Sequence, residues 1–214
     1  MACALAWQAD LLSNRGLILA GLVSIWSGRL GAFLVTRVHR VGKDARFDDI
    51  KHNTCHFLMA WTLQALWAFL ASLPVLIILT ANVPATPLGI WDVLGCFCWV
   101  VGFGIEVVAD RQKEAFRARH PSGERWIDEG LWSQAQHPNY FGEILLWTGV
   151  FITGFSVYEG MEWLSAVSPV FVAFTVLGMS GIPMIRARNR VKWGQEPAYQ
   201  AYLDRTNVLF PYRP

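Results

Sequence analysis

Five apolar runs, at 17–36, 57–80, 88–109, 141–158 and 163–185, constrain this chain more than any other feature. Each approaches the ~20 residues a helix needs to cross the ~30 Å hydrocarbon core of a bilayer. The second and fifth carry no charged residue, whereas the first contains Arg29, the third Asp92 and Glu106, and the fourth Glu143. One such run could be a buried helix of a water-soluble domain. Five of them in 214 residues, joined by short connections, leave too little polar surface to cover them. Composition agrees, with 54% hydrophobic and 16% charged residues, where a soluble domain carries roughly 45–50% and 25%. The expected fold is all-α, a multi-pass integral membrane helical bundle of about five transmembrane helices forming a single membrane domain over residues 1–214.

The basic residues set the expected orientation. Sixteen of the 18 Lys and Arg fall in segments 37–52, 110–140 and 186–214, and none in the connections 81–87 and 159–162. Five spans place the three basic segments on one side, which the positive-inside preference makes cytoplasmic. The N-terminus is then expected outside and the C-terminus inside, in the endoplasmic reticulum of a eukaryote or the cytoplasmic membrane of a bacterium. Pro84 and Pro87 mark one turn between spans, and Tyr158, Glu159 and Gly160 another. No basic stretch precedes the first apolar run, so a removed signal peptide is not expected. A net charge of +2 is too weak for nucleic-acid binding to be the main activity. Cys3, Cys55, Cys96 and Cys98 lack paired metal-ligand spacing and read as small apolar fillers, so no metal site is expected.

Polar residues at the ends of the spans carry the candidate chemistry. Glu106, Asp110 and Arg117 are four and seven residues apart, so a helix continuing past the third span puts them on one face. Glu106 lies about a turn inside the membrane, where a carboxylate is costly unless paired or lining a cavity. The fourth span opens His137-Pro138-Asn139-Tyr140-Phe141-Gly142-Glu143. Pro138 suits a first helical turn, and Asn139 and Glu143 share a face at a helix start, where backbone N–H groups favour an anion. A capped helix start with an interfacial tyrosine accounts for the same residues. Ser180-Gly181-Ile182-Pro183 should break or kink the last span. Beyond it Arg186, Arg188, Arg190 and Lys192, together with Arg111, Arg117, Arg119 and Arg125, can meet lipid headgroups or neutralise phosphates. Neither a Gly-x-Gly-x-x-Gly fingerprint nor a Walker loop is present. Arg29, in mid-span, is expected to pair inside the bundle with Glu106 or Glu143.

These blocks resemble the membrane steroid 5α-reductase family, in particular its multi-pass branch that shares the steroid-reductase C-terminal domain. The resemblance rests on Trp26-Ser27-Gly28-Arg29-Leu30-Gly31, Lys43-Asp44-Ala45-Arg46-Phe47-Asp48, the block from Glu106 to Gln112 with its Ala109-Asp110-Arg111-Gln112, Gly130-Leu131-Trp132, the motif from His137 to Glu143, Ser180-Gly181-Ile182-Pro183 and the tail 199–211. It implies hydride delivery from NADPH to a carbon–carbon double bond of a lipophilic substrate that enters from the bilayer. It also implies that Asp110, Arg117, Asn139 and Glu143 contact the cofactor and that His137 and Tyr140 complete the motif. Gln136 stands where the family usually has Arg, and Arg186 where an acidic residue often follows Ser-Gly-Ile-Pro. Related proteins usually have about two further N-terminal spans. Nothing in this chain maps onto the family's N-terminal Glu and Tyr pair near the substrate carbonyl, and no catalytic proton donor is assigned. A membrane methyltransferase using S-adenosylmethionine, of the isoprenylcysteine carboxyl methyltransferase type, is the alternative, since it also places His-Pro-x-Tyr before a late span. Its usual Glu-Glu pair is replaced here by Arg186-Ala187-Arg188-Asn189-Arg190. A non-catalytic shortened paralogue is the third reading.

Overall fold

The computed structural model describes residues 13–41, 53–80 and 86–211, which are largely helical and contain no β-strand. The block 43–48, Cys3 and Pro84 lie outside the described residues. Helix α1 spans Asn14–Val41, α2 Thr54–Ala71, α3 Leu73–Thr80 and α4 Ile90–Arg119. After a 3₁₀ turn at Gly130–Ser133 come α5 (Pro138–Thr153) and a second 3₁₀ turn, Gly160–Ala166. Then follow α6 (Val167–Phe174), a π-helical turn (Thr175–Met179), α7 (Ile182–Trp193) and α8 (Pro197–Arg205). Four helical stretches are long and apolar enough to cross a membrane: 14–36, 54–71, 90–119 and 160–193. Large apolar side chains stand exposed along them, among them Trp61, Phe97, Val100, Val170 and Phe174. Such a surface is suited to a lipid bilayer and not to water.

Two expected boundaries move, and a third break falls where it was expected. The run 57–80 is two helices parted at Ser72, because Pro74 has no N–H to continue the first. The hydroxyl of Ser168 donates to the Ala71 carbonyl beside the break, at 2.6 Å. The run 141–158 stops being helical at Thr153, so α5 has 16 residues and rises roughly 24 Å, short of a full crossing. A turn follows in which Val157 N donates to Gly154 O, and the Tyr158 ring folds back onto Gly154 where a side chain would stand. The run 163–185 is interrupted as expected: the π turn ends at Met179, and α7 starts afresh at Ile182 with Pro183 in its first turn.

The chain divides into two compact units, 1–92 with 153–168 and 93–152 with 169–214. In the first, α3 packs on α1 and on the Gly160–Ala166 turn, and Trp26 stacks on Trp67 at 6.1 Å. Arg29 lies over the Phe33 ring one turn further along α1, 5.9 Å from its centre. The charged heart of this unit is Arg15 with Asp92, which are 2% and 3% exposed. Arg15 Nε and Nη2 donate to the two Asp92 oxygens at 2.6 and 2.9 Å, Nη1 donates to Thr86 Oγ1, and Gly89 N donates to Asp92 Oδ2.

In the second unit α4 and α5 cross on glycine. A Cβ at Gly102 would lie 2.6 Å from Gly142 O and from Leu146 N, and one at Gly149 would lie 2.5 Å from Gly95 O. Backbones this close leave no room for any side chain, which is the use of a small residue at a helix crossing. Beyond the crossing α4 continues to Arg119, and Ala109, Phe116, Ile127, Trp132 and Leu131 pack together there.

Candidate ligand site at the start of α5

The local scaffold is the Gly130-Leu131-Trp132 turn. Gly130 has φ +60°, a backbone conformation that favours glycine, and a Cβ there would meet the Gln112 amide at 2.5 Å and push it aside. Leu131 N donates to Gln112 Oε1 at 2.9 Å and Trp132 Nε1 to Ala109 O at 3.0 Å. Both bonds tie the turn to the stretch of α4 that bears Asp110.

Pro138 is fully buried as the first residue of α5, and the His137 carbonyl accepts from Tyr140 N and Phe141 N. One turn of helix therefore fixes the directions of Asn139, Tyr140 and Glu143. Asn139 Nδ2 donates to Asp110 Oδ1 at 3.4 Å. That bond orients the amide, and its other atom, Asn139 Oδ1, is enclosed without a hydrogen-bond partner. Buried polar atoms are as a rule paired, and an unpaired acceptor costs about 1–3 kcal/mol. An enclosed acceptor of this kind fits a ligand that brings an N–H or O–H donor.

The imidazole of His137 stacks on the Tyr140 ring at 5.6 Å and is 5% exposed. Burial, followed by the charges of Lys113 and Arg186, lowers its pKa to about 4, so it is neutral at pH 7. Burial, then Glu143 and Asp110, raises the Tyr140 phenol above its ordinary value, which keeps the proton on oxygen. The result is a donor hydroxyl among two carboxylates, a neutral imidazole and an open amide acceptor.

Of the residues expected from sequence, Asp110, His137, Asn139, Tyr140 and Glu143 are thus brought together. Arg117 stands exposed on α4, two turns beyond Asp110. The wider ring of arginines is partly engaged elsewhere: Arg119 pairs with Glu129, and Arg125 and Arg205 both approach Asp128 at 3.5 Å. The cations whose charge bears on the buried imidazole are instead Lys113, which lies over the Trp132 ring at 4.6 Å, and Arg186. Lys113 is three residues after Asp110, a helical spacing that could have marked it. Arg186 Nη2 donates to Gln136 Oε1 at 3.4 Å. No cluster of His, Cys, Asp and Glu able to hold a metal occurs among the described residues, where Cys55 and Cys98 are free thiols.

Residues 1–206 match the model of a family described as protein of unknown function DUF1295. The chain is also similar to an uncharacterised protein of Schizosaccharomyces pombe, 22% identical over 232 aligned positions that take in 94% of this chain and 65% of the relative. It therefore spans slightly less than two thirds of that relative's length. No solved structure matches it. With the match running from residue 1 to residue 206 of 214, this chain is a member of the DUF1295 family.

Proposed function

We propose that the chain is a membrane reductase of the steroid 5α-reductase type, which uses NADPH to reduce a carbon–carbon double bond of a lipophilic substrate drawn from the bilayer. The observation that carries this reading is the enclosed, unpartnered Asn139 Oδ1 held in place by Asp110. A carboxamide or ribose hydroxyl supplies the donor that this acceptor lacks. Glu143, one helical turn further on, offers a carboxylate to the same ligand, and Lys113, Arg117 and Arg186 offer positive charge for its phosphates. When bound, NADPH would supply the hydride for one carbon of the double bond and leave as NADP⁺, the other carbon taking a proton of solvent origin. The chain's own part is to orient that group and to exclude water: neutral His137 and protonated Tyr140 stack at the mouth of α5, and the apolar crossing of α4 on α5 lies beyond them. The basic segments face the cytosol in this reading, so the cofactor enters from water while the substrate arrives laterally.

The test is to titrate the detergent-purified protein separately with NADPH and with S-adenosylmethionine, following nicotinamide fluorescence and thermal stability. NADPH is expected to bind and stabilise. Asn139→Ala and Glu143→Gln should each weaken it by about 1–3 kcal/mol, roughly ten- to a hundredfold. Unchanged NADPH affinity in both variants would refute the assignment, and stabilisation by S-adenosylmethionine instead would favour a methyltransferase.

A further inference from the structure

Asn139 sits in the first turn of α5, where backbone N–H groups have no partner within the helix, and Pro138 before it has no N–H at all. Its position therefore depends on what grips residues 135–137. That grip comes from the chain just after α8. Gln136 N donates to Asn207 O at 2.8 Å and His137 N to Val208 O at 3.1 Å, around a parallel bridge between Ala135 and Asn207. Further along, the Phe210 ring meets Phe141 at 5.2 Å. The side chain of Gln136 completes the join. Its Nε2 donates to Leu203 O and Thr206 O, both at 3.1 Å, and its Oε1 accepts from Arg186. One buried carboxamide thus ties the end of α8 and the start of α7 to the peptide that leads into Asn139. Residues 207–210 are otherwise exposed or half-buried, so this segment is packed on the α5 leader and open elsewhere.

We propose that Gln136 is a positioning residue and that 206–210 forms a strap: together they hold the His137–Asn139 peptide in register and so aim Asn139 Oδ1 at its ligand. The ligand named in the test rests on the NADPH reading above, whereas the clamp itself does not. In ligand-free, full-length protein, Gln136→Met keeps the side-chain length and removes its contacts. Amide hydrogen exchange at positions 136 and 137 should then accelerate by at least about tenfold, with the interior amides of α5 unchanged. Unaltered exchange at these two amides would overturn the clamp whether or not NADPH binds. For positioning, NADPH affinity is compared in Gln136→Met, Asn139→Ala and the double variant. Gln136→Met should weaken binding about tenfold. The double variant should bind no more weakly than Asn139→Ala, because one residue acts through the other; additive losses would overturn the proposal. Phe210→Ala, at a ring 63% exposed, covers the case in which Gln136→Met does not fold. It should weaken NADPH several-fold with little change in stability, and an unchanged affinity would overturn the strap. Wild-type protein that binds no NADPH would defeat the cofactor reading, and the exchange measurement would then decide the clamp.

Discussion

Two buried polar clusters in this protein are built to opposite ends. Around Arg15 and Asp92 nearly every lone pair and N–H has a partner: a two-pronged ion pair, a threonine hydroxyl, a proline carbonyl and the Gly89 amide. In the other, the Asn139 amide donates to Asp110, and its own oxygen is enclosed without a hydrogen-bond partner. A closed cluster fixes geometry, because each group is already satisfied and a ligand would have to break something to enter. An open one retains an unmet interaction that a ligand can supply. The first therefore reads as a structural pin in its unit, and the second as a place for binding.

The largest effect should come from breaking the closed cluster. Asp92→Ala strands the buried guanidinium and should cost about 3–5 kcal/mol of stability, whereas replacing both partners together, Arg15→Met with Asp92→Leu, should recover most of it. Chemical denaturation in detergent reads both, and a single substitution costing under about 1 kcal/mol would remove the contrast between the clusters.

Next comes the pH response of the open cluster. His137 has a folded pKa of about 4, below its unfolded value of roughly 6.5. The unfolded chain takes up the proton first as pH falls. The stabilisation is therefore complete above about 6.5, is lost progressively down to about 4 and is gone below that, some 3 kcal/mol in all. Comparing stability against pH for wild type and His137→Phe should show a flatter curve for the variant in that window.

A smaller loss is expected at the α4–α5 crossing, where Gly142→Ala brings a Cβ to about 2.5 Å from Gly102 O and should destabilise by about 1–3 kcal/mol. The smallest effect sharpens the comparison most. Asn139→Leu removes an acceptor that nothing satisfies in the unliganded chain and with it the bond to Asp110; gain and loss offset, so stability should change by under about 1 kcal/mol while ligand affinity falls. A loss of several kcal/mol without ligand would mean that Asn139 is as structural as Asp92.

Much of the helical plan was legible because hydropathy is a local quantity: a run of apolar residues is read from the residues themselves. The interruption at Ser180-Gly181-Ile182-Pro183 was equally local. Pro74 carried the same kind of signal within 57–80 and accounts for the break at Ser72. The shortening of α5 was less legible, since it turns on Tyr158 folding back over Gly154.

The site shows the same division. The sequence by itself determined that His137, Asn139, Tyr140 and Glu143 would share one helix start, because Pro138 and the 3.6-residue period do so from any such string. It likewise placed Asp110 on a helix running beyond the apolar stretch. Tertiary structure alone decided that Asp110 would orient the Asn139 amide, 29 positions along the chain, that Gln136 would find Arg186 and the end of α8, and that Arg15 would close on Asp92. The physical reason is common to all three. Charge and hydrogen-bonding capacity are written in residue identity, but which donor meets which acceptor depends on where the packed backbones bring them, and at the Gly102–Gly142 crossing that distance is set by the absence of a side chain.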